Sequence, residues 1–338
     1  IPTEGPAPVE RLALLVPLTG PLASAGRAVR DGFLSAHFAA AGSVHLDVLD
    51  SGLTRESAVE AYVDAVTRGA QRVIGPLPRD QVAAVFAQPQ LPVPLLALNA
   101  GEDDEQPPVG SHVFGLAPEE EGAAIAHRLV ERNLRAPLLI LNHEDWSQRA
   151  AKALTAHLEL DNARPAARIE LPSGVDFSTV LDGIAAHAFD AVVLALRPQQ
   201  ARLLLAQWRE RGLPVHPWLA TSHIYSGSPN RSLDRDLEGV EFSDAPWLAD
   251  LSAGLPARAA LKRELSSADA APRLFALGLD AYRLVPYLDA LRAHPDAYLD
   301  GANGQLTVDS AGRVRRLPAW LRFVEGQPRA TAGALLAQ

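Results

Sequence analysis

The chain of 338 residues contains no cysteine and no methionine. Without cysteine there is no disulfide framework, no thiolate zinc site and no thiol nucleophile. These three chemistries are excluded before any pattern is considered. The redox compartment stays open, because a chain without thiols is equally stable under oxidising and reducing conditions.

Long apolar runs and an excess of basic residues are also lacking. No stretch approaches the roughly 20 apolar residues that a membrane-spanning helix needs. The 31 lysines and arginines against 40 aspartates and glutamates give a net charge of −9. This charge argues against a nucleic-acid-binding protein, because such proteins present a basic face. Residues 1–8 show neither the basic nor the apolar region of a signal peptide.

Apolar runs that alternate with helical segments are what the chain does have. Arg11–Pro17 is the first run of the buried-strand type, and a helix is predicted over Leu22–Ala41. The alternation restarts at Pro118, where a predicted helix carries three glutamates in its first turn, which suit the positive end of the helix dipole. This order is typical of βαβ units on a parallel sheet and predicts two βα sets, over residues 9–116 and 117–243.

The remaining C-terminal residues depart from that rhythm. Arg273–Leu291 has helical spacing, but Pro286 should break or kink the helix. Gln305–Val308 and Arg313–Arg316 flank a turn sequence and predict a hairpin.

We therefore expect an α/β fold of two doubly wound parallel-sheet lobes, arranged as a bilobal clamshell. Three crossovers are expected, near residues 116–118, 243–246 and 295–303. The first lobe is predicted to comprise 9–116 with about 246–296, the second 117–245 with about 297–330, and the tails 1–8 and 331–338.

Ligands of open α/β sheets bind beyond the carboxyl ends of the strands, so the loops there hold the candidate binding residues. The ligand-cleft candidates are Thr19, Ser24, Asn99, Trp146, Ser222 and Tyr225. Two alternatives stay open. Ser24 has a second interpretation as a helix cap, and the aromatic rings of Trp146, Tyr225 and Trp247 are alternatively plugs that close a lobe interface.

Motifs for catalysis or for a cofactor are absent from the sequence. Pro17–Gly26 is not a phosphate-binding glycine loop, and neither a P-loop, an H-E-x-x-H motif nor a G-x-S-x-G motif occurs. His143–Asp145 is the nearest metal candidate, but Asp145 is more simply the cap of a helix that begins at Trp146. We predict no catalytic residue, no metal and no cofactor.

Several segments, in order, carry a family resemblance. They are LALN (Leu96–Asn99), FGLAPEEEG (Phe114–Gly122), the run Leu219–Trp247, RLFALGLDAYRL (Arg273–Leu284) and GQLTVDSAGRVRR (Gly304–Arg316). The chain resembles the type I periplasmic-binding-protein fold and, more narrowly, the C-terminal domain of the LppC/LpoA family of lipoproteins, over about residues 9–325.

The resemblance implies a non-enzymatic periplasmic domain that regulates peptidoglycan synthesis. Its partner would be a class A penicillin-binding protein, a peptidoglycan synthase, which it binds and activates. The resemblance also implies a lipid anchor upstream of this sequence, in the outer membrane, as the protein's only attachment to a membrane. No nucleic acid is expected as a partner.

A solute-binding protein of the branched-chain amino-acid type is the alternative. Such a protein would serve an ABC transporter or a sensor and close on a small polar ligand between its lobes. The loop Asn99–Asp104 lacks the hydroxyl groups of those binders and holds three acidic residues, which would repel a ligand carboxylate. We therefore predict no tight binding of leucine, isoleucine or valine.

Overall fold

The computed structural model describes residues 9–40, 44–102, 105–184, 187–252 and 254–331. The predicted tails, apart from Thr331, and the acidic residues Asp103 and Asp104 lie outside the described residues.

Strands and helices alternate through most of the described chain. The strands are β1 (Arg11–Val16), β2 (His45–Asp50), β3 (Arg72–Ile74), β4 (Leu95–Ala97), β5 (His112–Val113), β6 (Leu138–Leu141), β7 (Ala167–Glu170), β8 (Val192–Ala195), β9 (Trp218–Ala220), β10 (Glu241–Asp244), β11 (Leu299–Asp300), β12 (Gln305–Val308), β13 (Val314–Leu317), β14 (Ala319–Val324) and β15 (Gln327–Ala330). The α-helices are α1 (Ala23–Ala39), α2 (Arg55–Thr67), α3 (Arg79–Phe86), α4 (Pro118–Glu131), α5 (Asp145–Leu160), α6 (Ser178–Ile184), α7 (Pro198–Glu210), α8 (Arg231–Asp234), α9 (Arg258–Glu264), α10 (Ser267–Ala270), α11 (Pro272–Leu284) and α12 (Leu288–Ala293).

The chain divides into two compact units. Unit 1 comprises the chain up to Leu116 together with Ala245–Leu317, and unit 2 comprises Ala117–Asp244 together with the chain from Pro318 onward. The third crossover therefore lies at Leu317–Pro318, and the prediction of 295–303 was wrong. The physical reason is that β11, β12 and β13 form an antiparallel sheet whose Leu299, Leu306 and Val314 join the core of unit 1.

Unit 1 is built on a five-stranded sheet in the order β2-β1-β3-β4-β5, and every pairing in it is parallel. Five of the six residues of β1 are buried, because this strand lies inside the sheet between β2 and β3 and contributes to apolar clusters on both of its faces. On one side α1 packs against α11 at such close range that a Cβ on Gly32 would come 2.0 Å from the Phe275 carbonyl oxygen. Glycine is therefore required at this crossing.

Unit 2 has a seven-stranded sheet in the order β15-β14-β10-β9-β8-β6-β7. The five strands from β10 to β7 pair in parallel, whereas β14 and β15 are antiparallel additions at one edge. The five parallel strands confirm the expected parallel-sheet lobe, and the antiparallel edge formed by β14 and β15 was not predicted. Its helices α4 and α5 meet closely through Gly122, where a Cβ would lie 2.2 Å from the Ala150 carbonyl oxygen.

Local signals in the sequence set several element boundaries. Thr54 caps α2, accepting a hydrogen bond from the Ser57 N–H while the Ser57 side chain bonds the Thr54 backbone. Pro286 ends α11, and a short 3₁₀ turn over Val285–Tyr287 separates that helix from α12. The predicted hairpin is present as β12 and β13.

Candidate functional site

The strongest group of polar contacts at the carboxyl edge of the unit 2 sheet surrounds Glu144, which follows β6. Its carboxylate accepts hydrogen bonds from Arg197 Nε at 2.9 Å and Arg197 Nη2 at 2.5 Å. The indole N–H of Trp146 donates to it at 2.8 Å, and the Asn142 amide donates at 3.1 Å. We call Glu144, Arg197, Trp146 and Asn142 the Glu144 cluster.

Charge explains why Glu144 stays ionised in this cluster. The hydrogen bonds from Arg197 lower the pKa of its carboxyl group to about 2. Burial acts in the opposite direction, and the hydrogen bond from Trp146 acts in the same direction as Arg197. The arginine that follows β8 is thus committed to a carboxylate of its own chain.

The Trp146 ring, a predicted ligand contact, packs against two side chains of its own unit. It stacks on the His223 imidazole with centroids 3.7 Å apart and an interplanar angle of 9°, and the Arg197 guanidinium carbon lies 5.2 Å from its centroid. Trp146 is half-buried. The contact with His223 was not predicted, because nothing in the sequence pairs a residue after β9 with one after β6.

Ser222, a second predicted contact, is held by Glu121 from the first turn of α4. The Ser222 backbone N–H donates to Glu121 Oε2 at 2.9 Å and its hydroxyl donates to Glu121 Oε1 at 2.7 Å. Both hydrogen-bond donors of Ser222 are therefore used within unit 2. Glu121 was visible in the sequence as a helix-dipole residue, but its serine partner is 101 positions away.

Tyr225 is buried with 3% of its surface exposed, and it packs in the core of unit 2 rather than at a rim. Its ring lies 5.8 Å from that of Phe242 and 6.1 Å from that of Phe323. The ring packs beside Phe242 of β10 and Phe323 of β14, so Tyr225 is not exposed, and its role as a ligand contact stays a prediction. Trp247 is likewise buried, stacked on Phe275 in unit 1 at 5.4 Å.

Thr19 and Ser24 lie in the loop after β1 and the start of α1 in unit 1, and both are exposed. Helix α1 begins at Ala23, and no side chain caps it, so Ser24 is not the cap that the alternative interpretation proposed. The same loop is held by Asp50 at the end of β2, which accepts from the N–H groups of Leu18 at 2.8 Å and Gly52 at 2.9 Å.

Asn99 follows β4 and braces its own loop. Its amide donates to the Leu77 carbonyl at 3.3 Å, and its side-chain oxygen accepts the Ala100 N–H at 3.0 Å. Arg79 Nη2 donates to the carbonyls of Gly101 and Glu102 at 2.8 Å each, and the Glu102 carboxylate pairs with Arg55. Of the three acidic residues in this loop, the described one is thus matched by an arginine.

The metal candidate His143–Asp145 is arranged differently from either expectation. His143 pairs with Glu170 at 3.2 Å, while Asp145 is the first residue of α5 and not its cap. In the described ranges no group of three or more histidine, cysteine or acidic side chains could hold a metal ion. Over the same residues no helix has the length and apolar character to cross a membrane.

The six ligand-cleft candidates thus lie in loops or in the first turns of helices, three of them in each unit. Trp146 and Ser222 lie in the unit 2 edge loops, and their polar groups are bonded within that unit. The expectation that the six residues serve one ligand stays a prediction.

Comparison with known proteins places this architecture in a family. A relative from Photobacterium profundum named penicillin-binding protein activator LpoA is 28% identical over 351 aligned residues, which cover 94% of this chain and 56% of the relative. A second LpoA, from Haemophilus ducreyi, is 27% identical over 96% of this chain and 55% of its own length. The chain spans about half the length of the curated relatives it matches.

Solved structures agree with the fold. The C-domain of LpoA from Haemophilus influenzae, described as a regulator of PBP1A, superposes with a TM-score of 0.80 at 22% identity, covering 95% of this chain and 100% of that one. A putative branched-chain amino acid ABC transporter from Chromobacterium violaceum gives a TM-score of 0.71 at 28% identity, covering 93% and 99%. The fold is therefore α/β of the type I periplasmic-binding-protein class.

The family match extends over nearly the whole sequence, in two consecutive segments, residues 6–166 and 166–326. The resemblance of the segments from Leu96 to Arg316 is thereby confirmed, and the chain belongs to the family described as LppC putative lipoprotein.

Proposed function

We propose that this chain is the domain of an envelope lipoprotein that binds and activates a class A penicillin-binding protein, without catalysing a reaction itself. The observation that carries the proposal is the family match over residues 6–166 and 166–326, together with relatives named as activators of a penicillin-binding protein. The whole protein would act in the periplasm, attached to the outer membrane by a lipid anchor.

The contacts at the carboxyl edges of the two sheets support a regulator over a solute carrier. An amino-acid ligand needs a cation for its carboxylate and an anion for its ammonium group. In unit 2 the Arg197 guanidinium is bonded to Glu144, and the Glu121 carboxylate is bonded to Ser222. A ligand would have to break these bonds before it gained its own, which lowers its net affinity.

Reconstitution of peptidoglycan synthesis tests the proposal. The purified chain is added to a class A penicillin-binding protein of the same bacterium, and consumption of lipid-linked disaccharide-peptide precursor is followed. We expect direct binding and a faster reaction, with no turnover by the chain alone. An unchanged synthase rate at saturating chain would contradict the proposal, and turnover without synthase would contradict the non-catalytic part.

The likeness to the Chromobacterium violaceum structure keeps solute binding as a second candidate. Calorimetric titration with leucine, isoleucine and valine at low salt separates the two. We expect no heat of binding, since the Arg79 and Arg197 guanidinium groups in these edge loops already bond acceptors of their own chain. Micromolar or tighter affinity, about −8 kcal/mol, would favour the carrier.

A further inference from the structure

Five arginines of unit 2 lie on connected elements at the antiparallel edge of its sheet. Arg128 belongs to α4 and Arg132 directly follows it, Arg322 and Arg329 lie on β14 and β15, and Arg231 begins α8. We call these five residues the arginine face. It stands out in a chain whose net charge is −9.

Three of the five converge on one buried carboxylate, Glu241 of β10. Arg132 binds it with both terminal nitrogens at 2.7 and 2.8 Å, Arg128 Nη2 at 3.0 Å and Arg322 Nη2 at 3.1 Å. The Arg128 guanidinium also lies over the Trp320 ring, 5.0 Å from its centroid.

The other two arginines share a neutral acceptor. Arg231 Nη2 and Arg329 Nη2 each donate to the Gln327 side-chain oxygen at 3.1 Å. Among the residues that the structure describes, Glu241 is the one carboxylate within ion-pair distance of any member of the face. Within ion-pair distance, five guanidinium groups therefore stand against a single carboxylate. Glu238, which accepts the Gly326 N–H at 3.3 Å, and the exposed Glu325 of the β14–β15 turn lie nearby without pairing with the face, and they reduce its net positive charge without cancelling it.

The register of the sheet concentrates this charge. Arg322 lies directly opposite Arg329 in the β14–β15 pairing, and like charges in that position destabilise a sheet. Exposure of the side chains rises from 12% for Arg128 through 31% for Arg132 to 48% for Arg322, and Arg329 and Arg231 are exposed. Glu241 thus anchors the inner guanidiniums while the outer ones remain accessible to a partner.

The chemistry of the face selects an acidic protein segment as its occupant. Arginine recognises carboxylates in a directional, bidentate manner, and it is enriched at protein interfaces. The exposed Val324 is on the same sheet face as Arg322 and offers an apolar contact beside the charges, as interfaces do. Pro328 in β15 has no N–H to give to an added strand, so recognition here would be by side chains.

We propose that the arginine face, with Arg231 and Arg329 as its outermost members, docks an acidic segment of the protein partner. This inference rests on the proposed function and adds to it the surface by which the partner is held. Because Glu241 fixes Arg132 and Arg128 before binding, less side-chain freedom is lost when the segment docks.

The double variant Arg231→Glu with Arg329→Glu tests the face, because neither arginine bonds Glu241. The matched control is Arg27→Glu with Arg263→Glu, two exposed arginines of unit 1 that give the same change in net charge. Binding to the class A penicillin-binding protein is measured by surface plasmon resonance over a salt series. The unfolding transitions of both variants are first compared with that of the wild type, to confirm that they fold normally. The double variant Arg231→Gln with Arg329→Gln removes the two charges without reversing them and serves as a milder version.

We expect the face variant to bind at least about tenfold more weakly and with a shallower salt dependence. The glutamine version should fall between it and the wild type, and the control should bind within about twofold of the wild type. Equal weakening of the face variant and the control would overturn the inference, because net charge alone would then be responsible.

Two further outcomes separate the inference from the proposal beneath it. If the wild type binds the synthase and the face variant binds it equally well, the arginine face is not the docking surface, and the proposed function stays intact. No binding by the wild type overturns the proposed function itself. A parallel experiment measures binding to phosphatidylglycerol vesicles. Vesicle binding that depends on Arg231 and Arg329 would assign the face to a lipid headgroup and overturn the inference that it docks a protein segment.

Discussion

Asp280 of unit 1 and Glu241 of unit 2 are both buried carboxylates, and they behave in opposite ways. Asp280 on α11 of unit 1 has none of its surface exposed, and Glu241 on β10 of unit 2 has 2%. Asp280 accepts three hydrogen bonds, from the Ala302 N–H at 2.7 Å, the Asn303 N–H at 2.8 Å and the Asn303 amide at 2.9 Å. Glu241 accepts four, all from guanidinium groups.

The pKa values follow the charge of the donors and not merely their number. Burial raises the pKa of Asp280, and its neutral donors together with Arg283 at 3.6 Å do not reverse this shift. Burial also acts to raise the pKa of Glu241, but the bonds from Arg132, Arg128 and Arg322 lower it to about 2. A buried carboxyl group therefore stays ionised when its partners are cations and favours its proton when they are amides.

The substitution Glu241→Gln should have the largest effect on this comparison. It removes the negative charge from among three arginines and leaves partly buried guanidiniums unpaired. We expect a loss of about 3–5 kcal/mol in the free energy of unfolding, measured by urea titration. The exposed Glu131, which pairs with His127, provides the control Glu131→Gln, with a change below about 0.5 kcal/mol. A loss under about 1 kcal/mol for Glu241→Gln would show that the three arginines do not need the charge.

In the wild type, the contribution of the Glu241 carboxylate to stability should appear as a loss of stability at acid pH. The folded pKa of Glu241 lies below its ordinary value of 4.5, so its stabilising contribution is present above about pH 4.5 and is lost as pH falls toward 2. The size of this contribution is about 3 kcal/mol. Urea titrations across this range should show a fall in the wild type that the Glu241→Gln variant lacks. Parallel curves for the two proteins would refute the assignment.

Asp280→Asn should cost less, about 1–3 kcal/mol, because the side chain keeps one acceptor oxygen. The Ala302 N–H and the two Asn303 groups bond different oxygens of Asp280, so one of these two sets loses its acceptor. The pH dependence has the opposite sign. The folded pKa of Asp280 is raised, so its contribution is fully present below its ordinary value of 3.8 and is lost as pH rises through the folded pKa. The cost of Asp280→Asn should therefore shrink with rising pH, whereas that of Glu241→Gln should grow. Costs that change in the same direction would break the contrast between the units.

Arg322→Gln should have the smallest effect, since its side chain is 48% exposed. We expect a change within about 1 kcal/mol, because Arg128 and Arg132 still hold Glu241. The acid-dependent fall in stability should begin at a higher pH than in the wild type, as the Glu241 carboxyl group loses one of its three cations. A stability loss as large as that of Glu241→Gln would show that Arg322, and not Arg132, contributes most to the stabilisation of the Glu241 carboxylate.

Local patterns predicted much of the fold, since buried strands and helix boundaries depend on neighbouring residues. The apolar run at Arg11–Pro17 forms β1, the first-turn glutamates mark α4, and Pro286 separates α11 from α12. β14 and β15 were not predicted, although the alternation in AWLRFV and the following Glu325–Gly326 turn carry a hairpin signal. Helices α9 and α10 also escaped prediction, as each is short.

The candidate site was less accessible to sequence reasoning. The loops after the strands were identified, but the sequence left open whether Tyr225 and Trp247 contact a ligand or plug an interface, and both are buried. An aromatic residue after a strand looks the same in the sequence whether its ring faces solvent or the core. Its orientation depends on Phe242, Phe323 and Phe275, which other elements bring to it.

The sequence by itself determined most of the alternation of strands and helices and several helix boundaries, because these depend on contacts between near neighbours along the chain. The order of its segments also identified the family. Only the tertiary structure decided which charges meet. Glu241 lies 109 positions from Arg132 and 81 from Arg322, and Ser222 lies 101 from Glu121. Such pairs leave no periodic trace, since the sheet order and the strand register bring them together, and these are set by the packing of the whole unit.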